Sequence, residues 1–356
     1  MTATVETSAD SEARDLLVDL VSIPSPTDEE REAAERLATF FEAHDREVWI
    51  DEIGNVRAPA NDSVLLTSHI DTVPGDIPVR IEEGDDGKML WGRGSVDATG
   101  PLAAMAVAAV ETGVSFVGVV GEEVDSRGSR FVIDDRDRVP DVVINGEPSG
   151  WDGITLGYRG LLAGTYVATS ESGHTSRPEN NAVQDAIAWW SNVESEFEAD
   201  DWEPVFERVT PKPTSMNGGL TDDGLSVEAT MDVQLRIPPD LTVEEVREIA
   251  DGYLDGMGSV HWKDKVEPVM ESSRTEVARA FRVAIRESGG DPRLLRKTGT
   301  SDMNVFADHW DSPIVTYGPG DSDLDHAPNE HLSLAEYDRS IEVLESVTER
   351  LIGEHE

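Results

Sequence analysis

Four apolar runs share one form: SVLLTSHID (63–71), VSFVGVVGEE (114–123), PDVVINGEP (140–148) and SPIVTYGPG (312–320). Each has an uncharged apolar centre too short for a helix, and each stops in a polar or glycine-rich cluster. Strands that do not alternate apolar with polar are buried on both faces, as in a parallel sheet covered by helices. The intervening segments fit that reading. Residues 9–22 and 28–44 have helical patterning, with SPTDEE supplying turn and N-cap signals, and PLAAMAVAAVE (101–111) is an alanine-rich helix. The chain is therefore expected to be α/β, with a mostly parallel sheet. In such sheets ligands sit at the carboxyl ends of the strands, and three of the four runs end in His, Asp or Glu.

The middle of the chain has another rhythm. ITLGYRGLLAGTYVATS (154–170) reads as a strand and NAVQDAIAWWSNVESEFEA (181–199) as a helix. PTSMNGGLTDDGLSVEATMDVQLRIPP (213–239) reads as two strands joined by a turn. TVEEVREIADGYLDGM (242–257) is helical and SVHWKDKVEPVM (259–270) is a strand. This β-α-β-β-α-β order predicts a ferredoxin-like two-layer α+β domain. It would span residues 159–270, inserted into a catalytic domain formed by 1–158 and 271–356.

Charge decides which partners are excluded. The net charge is -44, and the acids are spread along the chain rather than gathered in a tail. Arginine supplies every basic residue except Lys88, Lys212, Lys263, Lys265 and Lys297. This composition resembles that of proteins from salt-accumulating halophiles, where a Debye length of about 3 Å at 1 M salt screens self-repulsion. No basic patch is present for nucleic acid. No stretch of 18 apolar residues predicts a membrane span, and MTATVETSADSEARD lacks the basic start and apolar core of a signal peptide, so a cytoplasmic protein is expected. With no cysteine, disulfides and thiolate metal sites are excluded.

With 73 acidic residues, an adjacent pair such as Glu122–Glu123 is expected by chance alone. Order and position give the pair meaning. In SHIDTVPG (68–75), His69 can bind a metal, and Asp71 can orient its other ring nitrogen. In WGRGSVDATGPLAAM (91–105), Asp97 lies in a glycine-rich loop before a helix, placed either to bridge two metals or to serve as a turn or N-cap residue. Glu122, Glu123, Glu147 in NGEPSG and His326 in DLDHAPNE follow. Two histidines with several carboxylates suit a pair of zinc or cobalt ions about 3.5–4 Å apart. One ion would take His69, Asp97 and Glu147, and the other Asp97, Glu123 and His326.

These ordered motifs, with GEEVDSRGSR and GHTSRP, resemble the di-zinc aminoacylase, acetylornithine deacetylase and succinyl-diaminopimelate desuccinylase family of metallopeptidases over roughly residues 14–350. The resemblance implies His69, Asp97, Glu123, Glu147 and His326 as ligands of two Zn2+ or Co2+ ions. It implies Asp71 as the residue orienting His69, Glu122 as general base, and His174 as the oxyanion-stabilising histidine. It also implies a cis peptide at Asp97–Ala98, and a homodimer in which the inserted domain acts as lid and dimerisation element.

GEPSGWDGITLGYRG (146–160) and KTGTSDMN (297–304) are similar to one branch of the family. That branch releases lysine or ornithine from the C-terminal glutamate of a small acidic amino-group carrier protein in lysine and arginine biosynthesis. Arg236 matches the family's carboxylate-binding arginine. Thr300, Ser301 and Asp302 are expected near substrate, and Tyr317, Gly318 and Gly320 of YGPG are expected to form a backbone nest for a carboxylate. Asp302 or Asp323 would meet a substrate ammonium. The competing readings are a deacetylase or desuccinylase of free small molecules, a dipeptidase or carboxypeptidase, and an inactive homologue serving as a binding scaffold.

Overall fold

The apolar runs form the centre of one sheet. The computed structural model describes residues 8–84, 87–200 and 202–355. The outer ends of the expected catalytic domain, including MTATVET, lie outside them. The chain divides into two compact units. One comprises the chain up to Leu156 with Glu271–Leu295 and Val305–Glu356; the other comprises Gly157–Met270 with Arg296–Asn304.

In the first unit the strand order is Trp49–Ile50, Val56–Ala58, Val114–Val119, Asn61–His69, Val142–Gly146, Ile314–Tyr317, Gly153–Tyr158. The central pairings, Asn61–His69 with both Val114–Val119 and Val142–Gly146, and the latter with Ile314–Tyr317, are parallel. The flanking pairings are antiparallel. The mostly parallel sheet expected from the apolar runs is thus the one observed. Val64, Leu65, Leu66, Phe116, Val117, Val142, Val143, Ile144 and Val315 are all buried, as two covered faces require. The helix Thr99–Thr112 is buried nearly all round. Its alanines let it lie close to Ser8–Val21 and Leu334–His355 at once. Register sets the functional edge. His69 pairs with Val119 and Ser68 with Gly146, so the residues following these strands emerge level.

The second unit holds the β-α-β-β-α-β order: Gly160–Glu171, Ala182–Glu196, Thr210–Leu220, Ser226–Ile237, Val243–Gly252 and Ser259–Val266. The sheet is antiparallel throughout. Its core gathers Leu162, Tyr166, Trp189, Val193, Met231, Leu235 and Val246, with Tyr166 and Trp189 stacked at 4.8 Å. Capping boxes at Asn181 with Gln184 and at Thr242 with Glu245 start the two helices.

Three details differ from the sequence expectation. The run 154–170 is two strands, broken at Arg159, whose guanidinium donates to the Thr298 and Val205 carbonyls and to Thr210 Oγ1. The run 259–270 is broken at Pro268, which has no N–H for a ladder. Residues 296–304, expected in the catalytic domain, cluster with the second unit. Arg159 N donates to the Lys297 carbonyl, and Asn304 Nδ2 donates to the carbonyls of Arg159 and Glu267.

Candidate metal centre and active site

The strand-end residues of the first unit meet in one cluster. His69 ends its strand, Glu122 and Glu123 follow the Val114–Val119 strand, and Glu147 follows Val142–Gly146. Asp97 sits in the loop before the alanine-rich helix, and the Asp97–Ala98 peptide is cis. His326 lies in the 321–330 loop at φ +58°. Glycines make the close approaches possible. A Cβ at Gly146 would lie 2.6 Å from the Ser68 Cβ, and Gly121 turns the chain at φ +75°, a conformation that favours glycine.

Asp97 stands between the two histidines. Its Oδ1 is 3.3 Å from His69 Nε2 and its Oδ2 is 3.1 Å from His326 Nε2. His326 Nε2 is also 3.1 Å from Glu123 Oε2, and His69 Nε2 is 3.6 Å from Glu147 Oε1. Within each of two triads, His69, Asp97, Glu123 and His69, Glu122, Glu147, the donor atoms all lie within 4.8 Å of one another. The five expected ligands are therefore together. Glu122 faces the same space rather than standing apart from them.

The electrostatics fit cations. Burial opposes charge on His69, yet Asp71, Asp97, Glu147 and Glu122 push it well above the ordinary imidazole value. Hydrogen bonding to Asp97, with Glu123 nearby, pushes His326 up to about 9 against its partial burial. Burial raises Asp97, but the two histidines override it and hold the carboxyl far below the usual range. Burial raises Glu123. Its buried Oε1 accepts no hydrogen bond. The carboxylates around the two imidazoles thus favour positive charge at this place. An orphaned oxygen, a carboxylate with one oxygen toward each histidine, and an all-N,O donor set suit a pair of zinc-like ions.

Asp71 does more than the sequence suggested, and does it differently. The acceptor for His69 Nδ1–H is the Asp71 main-chain carbonyl at 2.8 Å, while the nearer carboxylate oxygen is 3.6 Å away. This bond leaves Nε2 as the ring nitrogen open to a metal. The carboxylate instead accepts from the Glu122 and Glu123 amides, each at 3.1 Å, and from Thr27 Oγ1 at 2.8 Å. One residue therefore fixes the first histidine and the backbone of both glutamates. Burial pushes Asp71 up, but His69, Thr27 and the Glu123 amide hold it below the usual carboxylate range. Thr27 lies in SPTDEE, which the sequence reading used only as a helix start. The helix in fact begins at Arg31, and Glu30 gives it no side-chain cap.

The YGPG segment is not an open nest. Tyr317 is buried and its hydroxyl donates to the Trp151 carbonyl. Gly318 N donates to Ser149 Oγ, and Gly320 N to Glu336 Oε1, which also accepts from Trp151 N. The carboxylate held there is the chain's own. Asp323 is exposed in the short 3₁₀ turn Ser322–Leu324.

In the second unit, Arg236 is half-buried and its Nη1 donates to Thr300 Oγ1 at 3.4 Å. Ser301 and Asp302 are buried, and Ser301 N donates to Asn304 Oδ1. His174 is exposed, with Nδ1 2.8 Å from Ser176 Oγ.

This fold is that of a known hydrolase class. The chain belongs to peptidase family M20/M25/M40, whose model matches residues 65–350. Among its relatives, the LysW-lysine hydrolase of Deinococcus radiodurans is 39% identical over 99% of this chain and 100% of its own length. The putative LysW-lysine/LysW-ornithine hydrolase of Thermococcus kodakarensis is 39% identical, covering 95% of this chain and 91% of that one. The fold matches an M20 family metallo-carboxypeptidase from Sulfolobus solfataricus with a TM-score of 0.77, covering 96% of this chain and 99% of that one at 18% identity.

Proposed function

We propose that this chain is a metal-dependent amide hydrolase that releases lysine or ornithine from the C-terminal glutamate of a small acidic carrier protein. The observation that carries the chemistry is Asp97, with one oxygen toward each histidine of a carboxylate-rich cluster. The choice of substrate rests on the relatives' names and near-complete mutual coverage.

His69, Asp97 and Glu147 would hold one Zn2+ or Co2+, and Asp97, Glu123 and His326 the other. Bound there, the ions supply an acidified water and Lewis-acid polarisation of the scissile carbonyl. Glu122 takes the proton as the water oxygen bonds to the carbonyl carbon. When the C–N bond breaks, Glu122 passes that proton to the departing amine. Asp71 keeps the Glu122 and Glu123 amides fixed through this cycle. His174 is assigned to the developing oxyanion and Arg236 to a substrate carboxylate, both from the family resemblance. The inserted domain serves as lid and dimerisation element, and the homodimer works in a cytoplasm at high salt.

The experiment is a two-substrate assay in molar KCl, with metal restored after chelation and the size of the active species measured. The expected result is release of lysine or ornithine from the charged carrier at least 100-fold faster than deacetylation of N-acetylornithine, by a dimer, only with metal restored. A faster reaction on N-acetylornithine would replace this reading with the deacetylase one.

A further inference from the structure

The motif DLDHAPNE ends in a glutamate that the chemistry above does not use. Glu330 is fully buried. Its Oε1 accepts from Val96 N at 2.8 Å and Asp97 N at 3.1 Å. Its Oε2 accepts from Arg93 Nη1 at 2.8 Å. Arg93 Nη1 also donates to the carbonyl of Ala327, the residue after His326, and Arg93 Nε donates to the Gly75 carbonyl. One ion pair, buried at Glu330 and part-buried at Arg93, therefore ties the loop carrying Asp97 to the loop carrying His326.

We propose that Arg93 and Glu330 are positioning residues for the second metal site, the one formed by Asp97, Glu123 and His326. The inference rests on the two-ion reading above. A buried ion pair is weak evidence for stability, since its desolvation offsets much of its attraction. Its use here is geometric. His326 has an exposed side chain and left-handed backbone, in a loop whose only regular structure is a short 3₁₀ turn. Glu123, by contrast, is anchored through its amide to Asp71, and His69 through its ring to the Asp71 carbonyl. The first site keeps His69 and Glu147, each at the end of a sheet strand, without help from this pair. Loosening it should disturb Asp97 for both ions but release His326 from one only.

The test is titration of chelator-stripped wild type, Glu330→Gln and Arg93→Lys with Co2+, with folding checked by far-UV circular dichroism. Glutamine keeps one acceptor for the amides but removes the charge facing Arg93. Lysine keeps the charge but offers one nitrogen in place of the fork by which Nε holds the Gly75 carbonyl while Nη1 holds Glu330 and the Ala327 carbonyl. Wild type is expected to take two ions. The variants are expected to bind one ion only slightly more weakly than wild type does and the second about 10–100-fold more weakly, the range for supporting partners of metal ligands. Turnover should recover as free Co2+ is raised. Unchanged binding of both ions, or equal weakening of both, would overturn the proposal. If Glu330→Gln does not fold, Arg93→Lys decides by the same criteria. A wild type that binds fewer than two ions would show instead that the two-ion reading has failed.

Discussion

Glu122→Gln is expected to retain both metal ions and lose turnover by about 10³-fold, within the range for removing a positioned acid–base group. The substitution keeps size and one hydrogen-bonding oxygen, and removes the charge and the ability to accept a proton. The backbone of residue 122 stays anchored, because its amide bonds to Asp71 do not involve the side chain. KM should change little, since substrate affinity is assigned to other residues. Stopped assays together with metal analysis check this. A variant with its ions and full activity would remove Glu122 from the mechanism. A variant lacking an ion would make it a ligand, a role its place beside His69 and Glu147 would allow.

Asp97→Asn is expected to have the opposite profile: loss of metal first, activity as a consequence. Its two oxygens face the two histidines, and the two-ion proposal needs both. Asparagine supplies one neutral oxygen and an NH2 that repels a cation. Because both ions would share the residue, affinity for both should fall by more than about 100-fold, beyond the loss typical of supporting partners. Calorimetric titration with Zn2+ measures this. Two ions bound at wild-type strength would mean that Asp97 is not the bridge.

The contrast between these two residues shows what the sequence could convey. Non-alternating apolar runs report burial on both faces directly, so the parallel sheet was legible, and so was the edge at which its strands end. The strand-end residues were legible as a set because ordered motifs mark them. The supporting contacts were not. Asp71 was read as a side-chain partner of His69, but the main-chain carbonyl takes that bond. The side chain reaches two amides 51 and 52 positions away, and no local pattern announces such a contact. Thr27 looked like a helix start because Ser-Pro-Thr-Asp carries turn signals whichever partner its hydroxyl finds. YGPG looked like an open nest because glycines expose amides. Glu336, 16 residues beyond Gly320, fills it. Glu330 is one acid among 73. Only burial and its three partners distinguish it.

The central claim is a pair of ions bridged by Asp97. Crystals grown with Zn2+ and measured at the zinc absorption edge test it most directly. The account predicts two anomalous peaks about 3.5–4 Å apart, one among His69, Asp97 and Glu147 and one among Asp97, Glu123 and His326. A single peak, or two peaks that do not share Asp97, would contradict it.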